Sequence, residues 1–418
     1  MARFEITGAN KLSGDIKVAG NKNSVLPMMA ACLLTEETCV LENVPHISDV
    51  DVMAKLLEIA GATVSKKAGN KLAITCQNIK NSEFPSHLTE KLRASVLLLT
   101  PLLLRLGKIK MGYPGGDVIG RRSLDSHIQV LKSLGAKVEE ENDLITAQAS
   151  SLQATDIFLQ EASVTATENA IMAACLVPGQ TTIKRAASEP HVEDLCQFLI
   201  KMGAKIEGIG TNVLKITGAD KLFGTTHSVR PDHIEVGTFA ILAAVIGGKI
   251  GISPVVKNDL DMILLIFKKF GVEFKIEDEK LIVSGSKLIA VEKVTADIWP
   301  GFPTDLMAPM IVLATQAQGA TLLHDWMYES RMFFVDKLLS MGAKVEIADP
   351  HRVLVYGPTK LRGQKLDTPD IRAGIALVIA ALVAKGKSEI EKAELIERGY
   401  ENIVERLTTL GAKIKRIA

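Results

Sequence analysis

Lys22-Asn23, Arg93 and the triplet Asp370-Ile371-Arg372 each stand at the start of a long apolar stretch that reads as a helix. So do three further polar clusters: Thr165-Ala166-Thr167, Asp232 to Glu235, and Pro303-Thr304-Asp305. The first N–H groups of a helix lack partners and carry the positive end of its dipole. Such starts are natural anion sites. Capping by a side-chain oxygen explains Thr165, Asp232 and Asp370 equally well without any ligand. It explains Lys22, Arg93 and Arg372 poorly, because a cation there opposes the dipole. Those three point to phosphate or carboxylate binding.

A second group with chemical potential lies between Gly112 and Asp125. Gly112, Gly115, Gly116, Gly120 and Pro114 break regular structure there, while Asp117, Arg121 and Arg122 add an acid and two cations. The expected behaviour is that of a lid over a phosphorylated substrate, bringing a proton donor with it. An ordinary surface loop is the alternative. No Walker phosphate loop, dinucleotide fingerprint, zincin motif or Cys/His metal spacing occurs. The expectation is therefore no metal and no organic cofactor. His127, just past the lid, reads as structural or as a minor ligand contact.

The elements that would position these residues recur six times. A helical end, a glycine, a small residue and a strand follow one another at Gly61, Gly135, Gly203, Gly271, Gly342 and Gly411. The glycines are 68 to 74 residues apart (203 − 135 = 68 at the narrowest, 135 − 61 = 74 at the widest). Glycine suits a helix C′ position with left-handed dihedrals. Upstream of each phrase comes an Ala/Leu/Val-rich helix, apolar nearly all round and so buried. A turn, a strand and an amphipathic outer helix follow; in one, Val192, Leu195, Phe198 and Leu199 keep a period near 3.6. Phe4 to Gly14 matches Leu214 to Gly224, while the last repeat stops after its strand, Lys413 to Ile417. The two termini should therefore pair within one sheet. The expected fold is α/β: two inside-out α/β barrel lobes, each of three repeated units, with a cleft between them. Residues 22–229 would form lobe 1 and carry the lid at 112–125; residues 1–21 plus 230–418 would form lobe 2, completed by the N-terminal strand. The inner helix starts would face that cleft.

Composition narrows the function class. Among 418 residues, 49 Lys plus Arg nearly balance 48 Asp plus Glu, for a formal net charge of +1. That balance argues against a nucleic-acid or polybasic membrane surface. The five cysteines are odd in number and without close pairing, as in a reduced cytosolic core. No signal-peptide pattern opens the chain, and the longest apolar run, Gly374 to Ala384, is too short to span a bilayer. A soluble cytoplasmic monomer acting on small molecules is expected, with no nucleic-acid or membrane partner.

Gly20-Asn21-Lys22-Asn23-Ser24-Val25-Leu26-Pro27, Leu92-Arg93-Ala94-Ser95, the Pro114 to Asp125 loop, Pro303-Thr304-Asp305 and Arg398-Gly399-Tyr400-Glu401 together resemble the UDP-N-acetylglucosamine 1-carboxyvinyltransferases. The resemblance runs from Ile6 to Lys413. It implies transfer of the enolpyruvyl group of phosphoenolpyruvate to UDP-N-acetylglucosamine, the first committed step of peptidoglycan precursor synthesis. It implies that Lys22, Arg122 and Arg398 surround the phosphate and carboxylate of phosphoenolpyruvate, with Arg93 in the same pocket and Arg331 and Arg372 on the opposite lobe. Asp305 matches the carboxylate that takes the sugar hydroxyl proton, and Asn23 a contact to the amino sugar. Arg122, Ser123, Leu124, Asp125, Ser163, Val164, Thr165 and Met327 sit where the family holds the nucleotide sugar. Three departures stand out. Asp117 occupies the lid position where most members carry Cys, and a carboxyl serves as proton donor at neutral pH only if its pKa is raised. The family inhibitor fosfomycin alkylates that thiol, so insensitivity to it is implied. Ser123 replaces a proline that stacks on uracil, and Glu161 stands near a position often basic and facing the diphosphate.

Overall fold

The computed structural model describes every residue except Met1, Val118 and Arg121. Val118 and Arg121 belong to the expected lid, so the reading of Arg121 as one of its two cations lies outside the described residues. Among those residues the strands form six four-stranded sheets in a mixed α/β fold.

The glycine phrase has one physical cause in all six places. Gly61, Gly135, Gly203, Gly271, Gly342 and Gly411 all have positive φ, between 75° and 112°. At each, the glycine N–H bonds back to a carbonyl three residues earlier, and the next residue's N–H reaches the carbonyl five residues before it. Ala62 to Leu57, Ala136 to Leu131, Ala204 to Leu199, Val272 to Phe267, Ala343 to Leu338 and Ala412 to Leu407 are the six such bonds. This is the Schellman closure, which satisfies the last helical carbonyls and turns the chain into the following strand.

Each sheet has the same order. In one, Asp156–Phe158, Gln180–Lys184, Val213–Thr217 and Lys205–Glu207 lie side by side, the first pair parallel and the others antiparallel. In another, the order is Lys365–Asp367, Lys387–Glu391, Arg3–Thr7 and Lys413–Ile417. Arg3–Thr7 thus takes the place that Val213–Thr217 holds in the earlier sheet. It pairs Arg3 with Ile417 on one side and with Glu391 on the other, which is the terminal pairing read from the matching segments. Alternation drives it: Phe4 and Ile6 face the core while their neighbours are part-exposed.

The inner helices are enclosed. Every residue from Ile371 to Leu382 of Ile371–Val383 is buried, as is every residue from His233 to Ala244 of His233–Ile246. The outer helix Pro190–Lys201 buries Val192, Leu195, Phe198 and Leu199 as its period requires, but also His191 and Asp194. Asp194 is engaged there by His227 at 2.8 Å and by the Arg230 N–H at 2.9 Å.

The chain divides into two compact units. The N-terminal unit is Gly20–Gly116 with Arg122–Arg230; the C-terminal unit is Met1–Ala19, Asp117–Arg121 and Pro231–Ala418. Each has its own apolar core. The segment Asp117–Arg121, expected with the rest of the lid in lobe 1, groups instead with the C-terminal unit. The reason is local. Ile119 is buried and its carbonyl accepts the Ser330 N–H, Gly120 lies against Glu329, and Asp117 meets Arg398.

Gly411 has φ 97° and open space around the position of an added Cβ, so only the backbone opposes a side chain there. Gly411→Ala is expected to cost about 1–2 kcal/mol in a urea unfolding transition, with the m-value unchanged.

Candidate active site

In the C-terminal unit, three inner helix starts share one charge cluster. Asp305 lies on the short turn Thr304–Leu306 that leads into Met307–Gln316. Arg372 is the second residue of Ile371–Val383, whose cap Asp370 accepts the N–H groups of Arg372 at 2.8 Å and Ala373 at 3.0 Å. Asp232 caps His233–Ile246 in the same way, through Ile234 and Glu235. Arg372 reaches Asp305 Oδ2 with Nε at 2.9 Å and Nη2 at 2.8 Å. Arg331, from the loop after strand Gly319–His324, reaches Asp305 Oδ1 at 3.1 Å.

Both guanidiniums are buried, Arg331 to 4% and Arg372 to 6% exposure, while the Asp305 side chain keeps 25%. Burial works against the charge of Arg372, but Asp305, Tyr400 and Asp232 outweigh it and hold its pKa well above the usual value. Burial likewise opposes Arg331, and Asp305, Asp325 and Asp370 reverse the balance. Burial raises the carboxyls of Asp232 and Asp370; Arg372 and Arg331 respectively pull them back. Arg372 Nη1 also donates to the Tyr400 hydroxyl at 3.0 Å, which lies 3.0 Å from the Thr238 hydroxyl. Two fixed cations thus orient one part-exposed carboxylate.

Asp117 belongs to the same unit. Its Oδ1 is 3.0 Å from Arg398 Nη1, and Arg398 ends the short helix Ala393–Glu397. Met327 is half-buried on the loop that carries Arg331, and its N–H donates to Asp325 Oδ1 at 3.0 Å.

The N-terminal unit holds the remaining expected residues. Lys22 opens Lys22–Ala31 behind the cap Asn21, whose side chain takes the Asn23 N–H at 2.8 Å. The Lys22 ammonium lies 2.7 Å from the buried carboxylate of Asp49, on the outer helix of its own repeat. Arg93 begins the turn Arg93–Leu98 and donates to the Ser123 carbonyl at 2.9 Å. Arg122 is half-buried. The cations at helix starts therefore have protein partners as well as any ligand. A buried positive charge is too costly to leave uncompensated, so the fold supplies an anion or a carbonyl to each.

Several hydroxyls serve the backbone. Ser123 Oγ accepts the Asp125 N–H at 3.0 Å, so it sets the entry to helix Asp125–Ser133. Ser163, not Thr165, caps Val164–Ala174, through the Ala166 N–H at 3.4 Å. Leu124 is buried in the core and its carbonyl accepts the His127 and Ile128 N–H groups, whereas Asp125 is exposed and Val164 half-buried. Thr165 Oγ1 lies 2.7 Å from His127 Nε2. Burial, then the Arg93 and Arg122 charges, push the His127 pKa down to about 3. Glu161 accepts from the Ser126 hydroxyl at 3.4 Å. Tyr400, Asp370 and Asp325 were absent from the expected site set. Tyr400 lay inside a recognised motif, Asp370 looked like a cap and is one, and nothing local marks Asp325.

Residues 6–407 match the model of the family described as EPSP synthase (3-phosphoshikimate 1-carboxyvinyltransferase). A UDP-N-acetylglucosamine 1-carboxyvinyltransferase of Treponema denticola is 47% identical, with 99% of each chain covered. Proteins of that name from Borreliella burgdorferi and Bradyrhizobium diazoefficiens are each 46% identical, over 100% and 99% of this chain and 99% and 98% of theirs. Among solved structures, the enolpyruvyl transferase NikO from Streptomyces tendae superposes with a TM-score of 0.90 at 23% identity, over 99% of this chain and 98% of that one. EPSP synthase of Acinetobacter baumannii gives 0.79 at 17% identity, with 100% of both chains covered. These two likenesses establish a shared fold.

His127 gives a pH test. The unfolded imidazole takes up a proton below its ordinary value of 6.5, and the folded one does not until about 3. Acid therefore favours the unfolded chain, and stability falls by up to about 1.4 kcal/mol per pH unit across that window. His127→Gln should flatten the pH 6.5 to 4.5 segment of a stability curve measured by denaturant unfolding; an unchanged slope would show the imidazole is not held neutral.

Proposed function

We propose what this chain does from the premise that it belongs to the enolpyruvyl transferase family, and within it to the UDP-N-acetylglucosamine 1-carboxyvinyltransferases. It transfers the enolpyruvyl group of phosphoenolpyruvate to the 3-hydroxyl of UDP-N-acetylglucosamine. The hydroxyl oxygen adds to C2 of phosphoenolpyruvate while C3 gains a proton. The tetrahedral product carries both the sugar and the phosphate. Loss of phosphate and of a C3 proton restores the double bond.

Asp305 carries the reading: a part-exposed carboxylate gripped by two buried guanidiniums. It is the general base for the 3-hydroxyl, oriented by Arg372 and Arg331. Asp117 is assigned the proton transfer to C3; in this structure it is ion-paired with Arg398, and phosphate binding to that guanidinium would release the carboxyl for the transfer. Lys22, Arg93, Arg122 and Arg398 bind the phosphate and carboxylate of phosphoenolpyruvate and stabilise charge as phosphate departs. Asn23, Ser123, Leu124, Asp125, Ser163, Val164, Thr165 and Met327 hold the nucleotide sugar. The helix-start amides at Val164 and Thr165 suit the diphosphate.

The finer architecture belongs to the same reading. Three repeats in each half form an inside-out barrel, residues 22–229 as one lobe and 1–21 plus 230–418 as the other; six sheets of one strand order support it. Cytoplasmic placement is consistent with the absence, among the described residues, of a helix long and apolar enough to cross a membrane. The enzyme acts as a monomer on small molecules, without metal or organic cofactor, at the first committed step of peptidoglycan synthesis.

Phosphate release from phosphoenolpyruvate should occur with UDP-N-acetylglucosamine and not with shikimate 3-phosphate; the reverse pattern would overturn the substrate assignment. Asp305→Ala and Lys22→Ala should each lower kcat by roughly 100-fold or more, and wild-type turnover in either would remove that residue from its role. Fosfomycin, an epoxide that needs a thiolate, should leave the enzyme active after prolonged incubation. Asp117→Cys should become inactivated with time and gain the mass of the inhibitor. An adduct on the native Asp117 would defeat this expectation.

A further inference from the structure

Asp325 has a side chain with no solvent exposure, and its backbone is pinned on both sides by His351. Its N–H donates to the His351 carbonyl at 2.8 Å, and its own carbonyl lies 2.7 Å from His351 Nδ1. The carboxylate is divided between two functions. Oδ2 accepts the Thr304 hydroxyl, and Thr304 immediately precedes Asp305. Oδ1 accepts the Met327 N–H at 3.0 Å, fixing the start of the loop that carries Met327 and Arg331. Arg331 Nε lies 3.7 Å from Oδ2, and the same guanidinium reaches Asp305 Oδ1 with Nη2 at 3.1 Å.

We propose that Asp325 is a positioning residue for the reaction: it locks the Asp305 turn and the Met327–Arg331 loop into one rigid body. The inference rests on the role of Asp305 given above. A closed circuit runs from Asp325 through Thr304 to Asp305, then through Arg331 back to Asp325. An interior carboxylate shared by two segments holds both in register, because moving either leaves a charge or a polar group unpaired. Burying it has a cost that packing alone would not demand; an apolar residue at 325 would fill the space without joining the segments. The circuit acts directly on the base and on the sugar-binding loop, and reaches the Asp117 segment only indirectly, through the Ser330 and Glu329 contacts of that loop.

Asp325→Asn keeps the shape and removes the charge. It should lower kcat roughly ten-fold and raise KM for UDP-N-acetylglucosamine, with KM for phosphoenolpyruvate unchanged. Thr304→Val should reproduce that split, and Thr304→Ser, which keeps the hydroxyl, should restore wild-type values. The double variant Asp325→Asn/Thr304→Val should lose less than the sum of the two single losses, because both changes weaken the Thr304 link. A general loss of folding would lower the active fraction and leave both KM values in place. Wild-type kinetics in Thr304→Val, equal changes in both KM values, or fully additive losses would overturn the proposal. If Asp325→Asn does not fold, the Thr304 pair alone decides. If wild-type enzyme instead uses shikimate 3-phosphate, the substrate reading fails separately, and the same variants are then measured with that acceptor.

Discussion

A helix that is apolar on every side can be enclosed only if its first N–H groups find partners without water. His233–Ile246 and Ile371–Val383 are enclosed in this way, and that requirement shapes the candidate site. Asn21, Ser163, Asp232 and Asp370 meet it by side-chain capping. Polar chemistry is thereby gathered at the starts of apolar helices, where positive dipole ends and fixed amides already favour anions. Lys22, Asp305 and Arg372 sit at the starts of core helices and inherit their placement from core packing.

The next constraint is charge balance. Arg331 and Arg372 are nearly free of solvent, so each needs anions close by, and Asp305 is shared between them. Removing one member leaves the others uncompensated, which makes the cluster a unit. Asp305 is its most exposed acid. Tyr400 and Thr238 extend the network into the core and tie the guanidinium of Arg372 to the helix His233–Ile246.

Repetition supplied the framework and divergence supplied the chemistry. The same helix start carries Lys22, Arg93 and Ser163 in one half of the chain and Asp232, Asp305 and Arg372 in the other. The sheet order and the Schellman glycines do not vary with it. One half thus presents cations and small hydroxyls. The other presents acids held by arginines. That division of labour suits a phosphorylated donor and an acceptor hydroxyl that must lose a proton.

What the sequence determined by itself was everything governed by local period and backbone dihedral. The glycine phrase announced six helix ends, apolar composition marked the inner helices, and the match of Phe4–Gly14 to Leu214–Gly224 required the termini to pair. Those features need only near neighbours or a repeated pattern. The tertiary structure alone decided which charge meets which. Lys22 faces Asp49, Arg372 faces Asp305 from 67 residues away, and Asp117 faces Arg398 from 281 residues away. It also made Ser163 a cap, turned the Ser123 hydroxyl onto the Asp125 N–H, moved Asp117–Arg121 out of the expected lobe, and bonded Asp325 to the Thr304 hydroxyl. Ion pairs and shared hydrogen bonds depend on which helix starts the packing brings within about 3 Å, the reach of a hydrogen bond. No spacing along the chain encodes that distance.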